Sequence, residues 1–352
     1  MSRYYNVNNI LSHDCLFNFI ITGRGYGKTY GFTKWCIKRY IKTKEQFVYA
    51  RRQKNELENV NIFFNALEKD EEFTNYEFTV AGMTGYIREK SDEEVNTNNW
   101  EIICYFVNLS TQASFKSTPF PDVTTIIFDE FVIDTTSGKQ NYLKNEPRLL
   151  LEMYSTIARP GSDHPKVRLF CLGNNLSIVN PYFTYFNIKI TKQYGLFKAR
   201  DNKLLVHLAK TSEEFKNSVQ QTDFYKIIAD TEYADYSIDN TSLTDNTNMI
   251  RKRSGNYRGW FNVVINDILL GIWYNIDEDY LYIDKTKVPE DASEVTKTYN
   301  INFENSNPAW NRVGSLKRSY WSKMVKDYYL TNNVFYSDLE VQFLFQEAYK
   351  EF

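Results

Sequence analysis

The sequence predicts an α/β fold built on a mostly parallel sheet and followed by a smaller α+β unit, and three observations carry that prediction. Short apolar runs alternate with helical patterns through roughly the first 195 residues. A glycine-rich stretch separates the first apolar run from the first helical pattern, and beyond Tyr194 the chain turns polar before a second β-rich region begins. Strands alternating with helices demand a parallel sheet covered on both faces.

In chain order, Leu16 to Thr22 (LFNFIIT) is a buried strand, and Lys28 to Ile41 is a helix with Phe32, Trp35, Cys36 and Tyr40 near one stripe. Gln46 to Ala50 (QFVYA) is a second strand, a helix is expected over Lys54 to Lys69, and Tyr76 to Glu89 reads as a hairpin. Glu101 to Leu109 (EIICYFVNL), Thr124 to Phe128 (TTIIF) and Val167 to Leu172 (VRLFCL) are buried strands, with a helix near Leu149 to Ile157 between the last two. Lys210 to Asp230 is polar and helical, and Asp235 to Asn248 is rich in Ser, Thr, Asn and Asp, which marks a break. Trp260 to Ile283 is β-rich, with turn signals at Asn266-Asp267 and Asp277 to Asp279, and the tail from Ser315 is helical. The expected organisation is a first domain over 1–197, a helical linker over 198–234 and a second domain over 235–352.

Composition narrows the function. A chain of 352 residues suits about two domains. The net charge of −2 provides no global basic field, so contact with a polyanion must come from locally clustered Lys and Arg. Cys15, Cys36, Cys104 and Cys171 form no C-x-x-C pair and read as buried thiols of a reducing cytosol, and three scattered histidines do not suggest zinc. No apolar run reaches the ~18 residues of a membrane span, so no membrane partner is expected.

The glycine-rich stretch Thr22-Gly23-Arg24-Gly25-Tyr26-Gly27-Lys28-Thr29 leaves an apolar strand and opens a helix. Its glycines let successive amides curl around a phosphate, Lys28 reaches the β and γ oxygens, and the Thr29 hydroxyl faces Mg²⁺. This is a Walker A loop in which Thr22 holds the first glycine's place. Ile126-Ile127-Phe128-Asp129-Glu130 supplies the matching acidic strand: Asp129 joins Thr29 in the Mg²⁺ shell, and Glu130 polarises the attacking water. The consecutive glutamate marks the hydrolytic branch of P-loop NTPases, the ASCE class with RecA-like or terminase-like domains, so ATP and Mg²⁺ are the expected ligands. A further strand ends in Gly173-Asn174-Asn175; Asn174 or Asn175 can sense the γ-phosphate, and the same triplet equally suits a turn.

Together these residues resemble the DNA-packaging ATPases of φ29-like small tailed phages. The resemblance spans most of the chain and rests on Phe17 to Thr29, Gln46 to Arg52 (QFVYARR), Val123 to Phe131 (VTTIIFDEF), Leu172 to Phe183 (LGNNLSIVNPYF), Thr231 to Asn240 (TEYADYSIDN) and Leu269 to Asp284. It implies a homomeric ring, a pentamer, in the host cytoplasm and transiently at the portal vertex of a procapsid. Each subunit would hydrolyse ATP to drive double-stranded DNA inward, with the portal (connector) protein and a structural packaging RNA as partners.

A ring of that kind implies a cation lent by a neighbouring subunit. Arg159, in Ile157-Ala158-Arg159-Pro160-Gly161, matches the family's arginine finger by position and equally fits a helix-end charge; Lys116 is the second candidate. Ile133 departs from the family by replacing an Arg. Arg51, Arg52 and Lys54 are candidate DNA-phosphate contacts, with a solvated surface as the alternative, as are Lys189 and Lys192; Arg251-Lys252-Arg253 is a further nucleic-acid candidate. The related large terminases carry an RNase H-type nuclease, but Trp260 to Ile265 holds no acid, while Asp267, Asp277, Glu278, Asp279 and Asp284 fall at turns or strand ends. The second domain therefore reads as RNase H-like without nuclease chemistry. The rival functions are another hydrolytic P-loop motor, such as a helicase or a replication or conjugation ATPase, and a nucleotide switch.

Overall fold

The computed structural model describes residues 3–90, 99–111, 118–133, 141–159, 166–175, 180–188, 194–229, 231, 247–289, 297–301, 307 and 309–352. The chain divides into one unit over Met1–Thr244 and a second over Asp245–Phe352.

The first unit is organised by nine strands: β1 (Phe17–Thr22), β2 (Gln46–Arg51), β3 (Tyr76–Ala81), β4 (Thr84–Glu89), β5 (Glu101–Asn108), β6 (Val123–Asp129), β7 (Arg168–Asn174), β8 (Gly195–Ala199) and β9 (Leu204–Leu208). They form one sheet in the order β3-β4-β5-β2-β6-β7-β1-β9-β8. The six central strands run parallel, while the β3–β4 hairpin and β8 join antiparallel at opposite edges. Strand periodicity explains why the central runs are apolar throughout: Phe19, Ile126 and Phe128 face one buried cluster, and Ile20 and Ile127 face the other. The helix Lys28–Thr43 packs Phe32, Cys36, Ile37 and Tyr40 on one side, and the helix Glu146–Ala158 packs Leu150, Met153 and Ile157 on the other.

The expected mostly parallel sheet, first helix and hairpin all form, but three readings need correction. Lys54 to Lys69 is not a continuous helix; it breaks into 3₁₀ turns at Lys54–Leu57 and Val60–Ile62 and a single helical turn at Asn65–Glu68. Asn55, Asn59, Asn61 and Asn65 recur through it, and their side chains compete with helical backbone bonding. The sheet also continues past 197, because β9 pairs in parallel with β1 and β8 returns against β9. Residues 198–234 are thus not wholly a linker, although the helices Glu213–Gln220 and Asp223–Ile228 do fall there. Finally, the tail holds helices Val313–Lys317, Tyr320–Leu330 and Leu339–Tyr349 with a strand, Val334–Tyr336, between the last two.

The second unit is a six-stranded sheet made of β10 (Tyr257–Ile265), β11 (Ile268–Asn275), β12 (Tyr280–Asp284), β13 (Thr298–Asn300), β14 (Asn311–Arg312) and β15 (Val334–Tyr336), in the order β14-β13-β10-β11-β12-β15. β10 to β12 form an antiparallel meander and β13 and β14 add in parallel beside β10, which is the RNase H arrangement; β15 extends the other edge. Asn266 and Asp267 adopt left-handed φ of 49° and 62° in the two-residue β10–β11 turn, as their residue types favour. One face packs Phe261, Val263, Ile272 and Ile283 against Leu316, Val325, Leu344 and Phe345 of the tail helices. All four cysteines are buried and unpaired by disulfide. Among the described residues no helix is long and apolar enough to cross a membrane.

Candidate nucleotide-binding and hydrolysis site

The site gathers at the C-terminal ends of the parallel strands, where α/β sheets open toward ligands. β1 ends at Thr22, and the loop that follows is possible because Gly25 and Gly27 take φ of 71° and 82°. A Cβ at Gly27 would meet the Tyr4 Cβ at 3.2 Å. The helix then starts at Lys28 with no acidic residue in its first turn and no side-chain cap, which leaves its amides to an incoming anion. Tyr26 anchors the loop from behind: its hydroxyl accepts from the Ser212 amide at 3.2 Å, and its ring packs on Phe215. Arg24 and Gly25 are exposed, whereas Gly23 is buried.

Lys28 is buried and donates to three neutral oxygens: Thr22 Oγ1 at 2.9 Å, the Gly23 carbonyl at 3.2 Å and Asn174 Oδ1 at 3.0 Å. Thr22, the departure from the Walker consensus, therefore helps seat the lysine. Burial pushes the Lys28 ammonium down to about 8, with Asp129 and Glu130 opposing the shift. Asn174 is brought to the lysine, and the Asn175 amide donates to the Thr22 carbonyl at 3.0 Å. A Cβ at Gly173 would lie 2.8 Å from the Phe131 ring, so β7 and the residues that follow β6 require glycine there to close together.

Asp129 ends β6. Its Oδ2 accepts from Thr29 Oγ1 at 2.8 Å and from the Tyr49 hydroxyl at 2.9 Å, and its Oδ1 accepts from the Glu130 amide at 3.0 Å. Glu130 has a left-handed backbone with φ 57°, stabilised where Arg52 donates to its carbonyl at 3.1 Å. The Glu130 carboxylate is 46% exposed and pairs with Arg51 at 2.6 Å. A hydroxyl and a carboxylate side by side form the hard oxygen set that suits Mg²⁺.

Two of the three expected DNA contacts are otherwise engaged. Arg52 is only 3% exposed; it donates to Glu146 at 2.8 Å and to the Phe131 carbonyl at 2.9 Å, so it is a buried structural ion and not a surface phosphate contact. Glu146 in turn accepts from the Leu143 amide and the Tyr182 hydroxyl. Arg51 is committed to Glu130, with Glu56 also near. Lys54 is exposed. Arg159 follows the helix Glu146–Ala158 in a left-handed conformation, φ 36°, and its exposed guanidinium donates to the Thr118 carbonyl at 3.1 Å. Ile133 is buried and apolar. Lys116, Lys189 and Lys192 lie outside the described residues.

In the second unit Asn262 occupies the middle of β10, fully buried, and both ends of its amide hold the Val288 backbone. Asp284 accepts from Trp273 Nε1 at 3.0 Å and the Thr286 amide at 2.9 Å, while Asp277 accepts from the Asn256 amide. Arg253 lies over the Trp273 ring at 3.7 Å and Arg251 over Phe335 at 3.4 Å, and both stay exposed to solvent beside Lys252. Among the described residues no three His, Cys, Asp or Glu side chains gather as a metal site.

Tyr49, the Arg51–Glu130 pair and the Arg52–Glu146–Tyr182 network escaped the sequence reading. Their signal was a tyrosine and two arginines at the end of a buried strand, in Tyr49-Ala50-Arg51-Arg52, which becomes meaningful only once β2 is known to pair with the acidic strand β6.

A glycine-rich loop opening a helix, an acidic strand facing it, and one strand, β7, inserted between β1 and β6 define a P-loop NTPase of the additional-strand, catalytic-glutamate class. The sequence model of the podovirus DNA encapsidation protein (Gp16) matches residues 1–351, and the chain belongs to that family. The DNA packaging protein of Bacillus phage phi29 is 34% identical over 299 residues, 84% of this chain and 83% of that protein. A chain of the bacteriophage Phi-29 viral genome packaging motor assembly superposes with a TM-score of 0.71 at 29% identity, covering 99% of both chains. The N-terminal domain of the DNA packaging ATPase from bacteriophage phi29 matches 60% of this chain and 99% of its own length, with a TM-score of 0.50 at 34% identity. This is the family that the sequence resembled.

Proposed function

We propose that the chain is an ATP-driven translocase that packages double-stranded viral DNA into a procapsid, acting as a homomeric pentameric ring at the portal vertex within the host cytoplasm. The observation that carries this reading is the convergence of Lys28, Thr29 and Asp129 in a chain that matches the encapsidation family almost end to end. ATP phosphates would take the Lys28 ammonium from Thr22, Gly23 and Asn174, exchanging neutral acceptors for charged ones. Thr29 and Asp129 would hold Mg²⁺, which neutralises charge on the phosphates when bound. Glu130 takes the proton of the water that attacks the γ-phosphorus, and it must first leave Arg51 to do so.

Arg159 is proposed as the cation lent to the neighbouring site, with Lys116 as the alternative donor. Lys54 is retained as a candidate grip on DNA phosphate; Arg51 and Arg52 are not. The second unit is assigned to contacts with the portal protein and a structural RNA, without nuclease chemistry, because β10 carries no acid and Asp284 and Asp277 are engaged by Trp273, Thr286 and Asn256. Supercoiled plasmid left intact by the full chain in Mn²⁺ supports that assignment, and nicking abolished by Asp284→Ala overturns it. The packaging reading is tested with procapsids, linear double-stranded DNA and ATP: the chain should render DNA resistant to nuclease, and Lys28→Ala should not. Equal protection by Lys28→Ala would refute it.

A further inference from the structure

We propose that Tyr49 is the positioning residue of the metal-site carboxylate, its hydroxyl fixing Asp129 in the orientation that the Thr29–Asp129 pair presents to a divalent cation. The proposal rests on the Mg²⁺-nucleotide reading of that pair. Tyr49 sits on β2, opposite Ile127 of the acidic strand, two residues before Asp129. Its side chain therefore rises beside the carboxylate, and its hydroxyl donates to Asp129 Oδ2 at 2.9 Å. The ring is wedged against Phe63, with centroids 4.6 Å apart, and Phe106 at 6.1 Å, so the hydroxyl is delivered by a rigid, packed body.

The three donors on Asp129 are divided unequally between its oxygens. Oδ1 holds only the Glu130 amide, while Oδ2 holds both Thr29 and Tyr49. Thr29 is itself a candidate ligand: an oxygen lone pair can face a cation while its one proton stays on Asp129. Tyr49 is the second side-chain donor, the one that is not itself a candidate ligand, and it holds the carboxylate against rotation. Groups that orient a metal ligand from behind change affinity by about 10–100-fold when removed.

The test is Tyr49→Phe in the full chain, which deletes one oxygen and keeps the packed ring. Fluorescent ADP is titrated with Mg²⁺, and the Mg²⁺ midpoint is read separately from ADP binding in EDTA. The expected result is a midpoint raised by about tenfold, with ADP binding in EDTA unchanged. Phe106→Leu, which loosens the same packing but leaves the hydroxyl, should lower the thermal midpoint and move the Mg²⁺ midpoint less than Tyr49→Phe does; an equal or larger shift would overturn the hydroxyl's role. An unchanged Mg²⁺ midpoint in Tyr49→Phe, alongside a raised one in Asp129→Asn, would overturn the role of Tyr49 and leave the metal site standing. An unchanged midpoint in Asp129→Asn as well would instead bring down the metal-site reading. Failure of Tyr49→Phe to fold would also overturn the proposal, since it would place the hydroxyl in the fold and not in the site.

Discussion

Nucleotide affinity should weaken as pH rises above about 8, and Lys28 should be the cause. Its ammonium is buried among a hydroxyl, a carbonyl and an amide oxygen, so desolvation lowers it from 10.5 to about 8. A bound polyphosphate favours the charged form, so above pH 8 binding must take up a proton. The dissociation constant should then rise about tenfold per pH unit. Across the whole gap from about 8 to 10.5 the loss is on the order of 3 kcal/mol, or more than a hundredfold.

The assay is calorimetric titration of ADP at pH values from 7.5 to 9.5, in two buffers of different protonation enthalpy to count the protons taken up. Uptake should approach one per nucleotide, and Lys28→Met should bind weakly with no such slope. The nucleotide-free protein should respond in the opposite sense. Because the folded pKa lies below the unfolded one, the unfolded chain holds the extra proton between about 8 and 10.5, and Lys28 makes stability rise with pH through that window. A flat affinity in the wild type, or the same slope in Lys28→Met, would refute the argument.

Two further outcomes follow from the site. Arg52→Met strands the Glu146 carboxylate in the interior and should cost about 3–5 kcal/mol, a fall of roughly 10 °C in thermal unfolding, with partial recovery when Glu146→Met is added; an unshifted melting curve would contradict the buried pair. Arg159→Ala and Glu130→Gln should each lose ATPase activity by on the order of 10² or more, and a mixture should regain it, because one subunit keeps its Walker site and the other its arginine. Mixtures as inactive as their parents, with assembly confirmed, would make Arg159 a helix-end charge.

The parts of this molecule legible in the sequence were those whose chemistry is local. Thr22 to Thr29 declared itself because glycines with left-handed φ, a lysine and a threonine must be contiguous to wrap a phosphate, and Asp129-Glu130, a common enough ending for a strand by itself, became legible only beside that loop. Arg51 and Arg52 were illegible for a physical reason: adjacent residues of a strand point to opposite faces, so identical side chains meet different partners. Register against β6 sends Arg51 to the Glu130 carboxylate and Arg52 inward to Glu146. Glu146 and Tyr182 lie far along the chain from Arg52, and no local pattern links them. The strand Leu204–Leu208 (LLVHL) is as apolar as its neighbours but follows the polar change near Tyr194, so composition placed it outside a sheet that tertiary pairing extends.

The central claim is that these converged side chains hydrolyse ATP with Glu130 as the base. Phosphate release by the full chain is the most direct measurement, with ATP binding followed in parallel for the wild type and Glu130→Gln. The wild type should turn over ATP in a Mg²⁺-dependent manner, while Glu130→Gln should bind ATP as well as the wild type and hydrolyse it slower by roughly 10² or more. Turnover by Glu130→Gln at the wild-type rate would contradict the account.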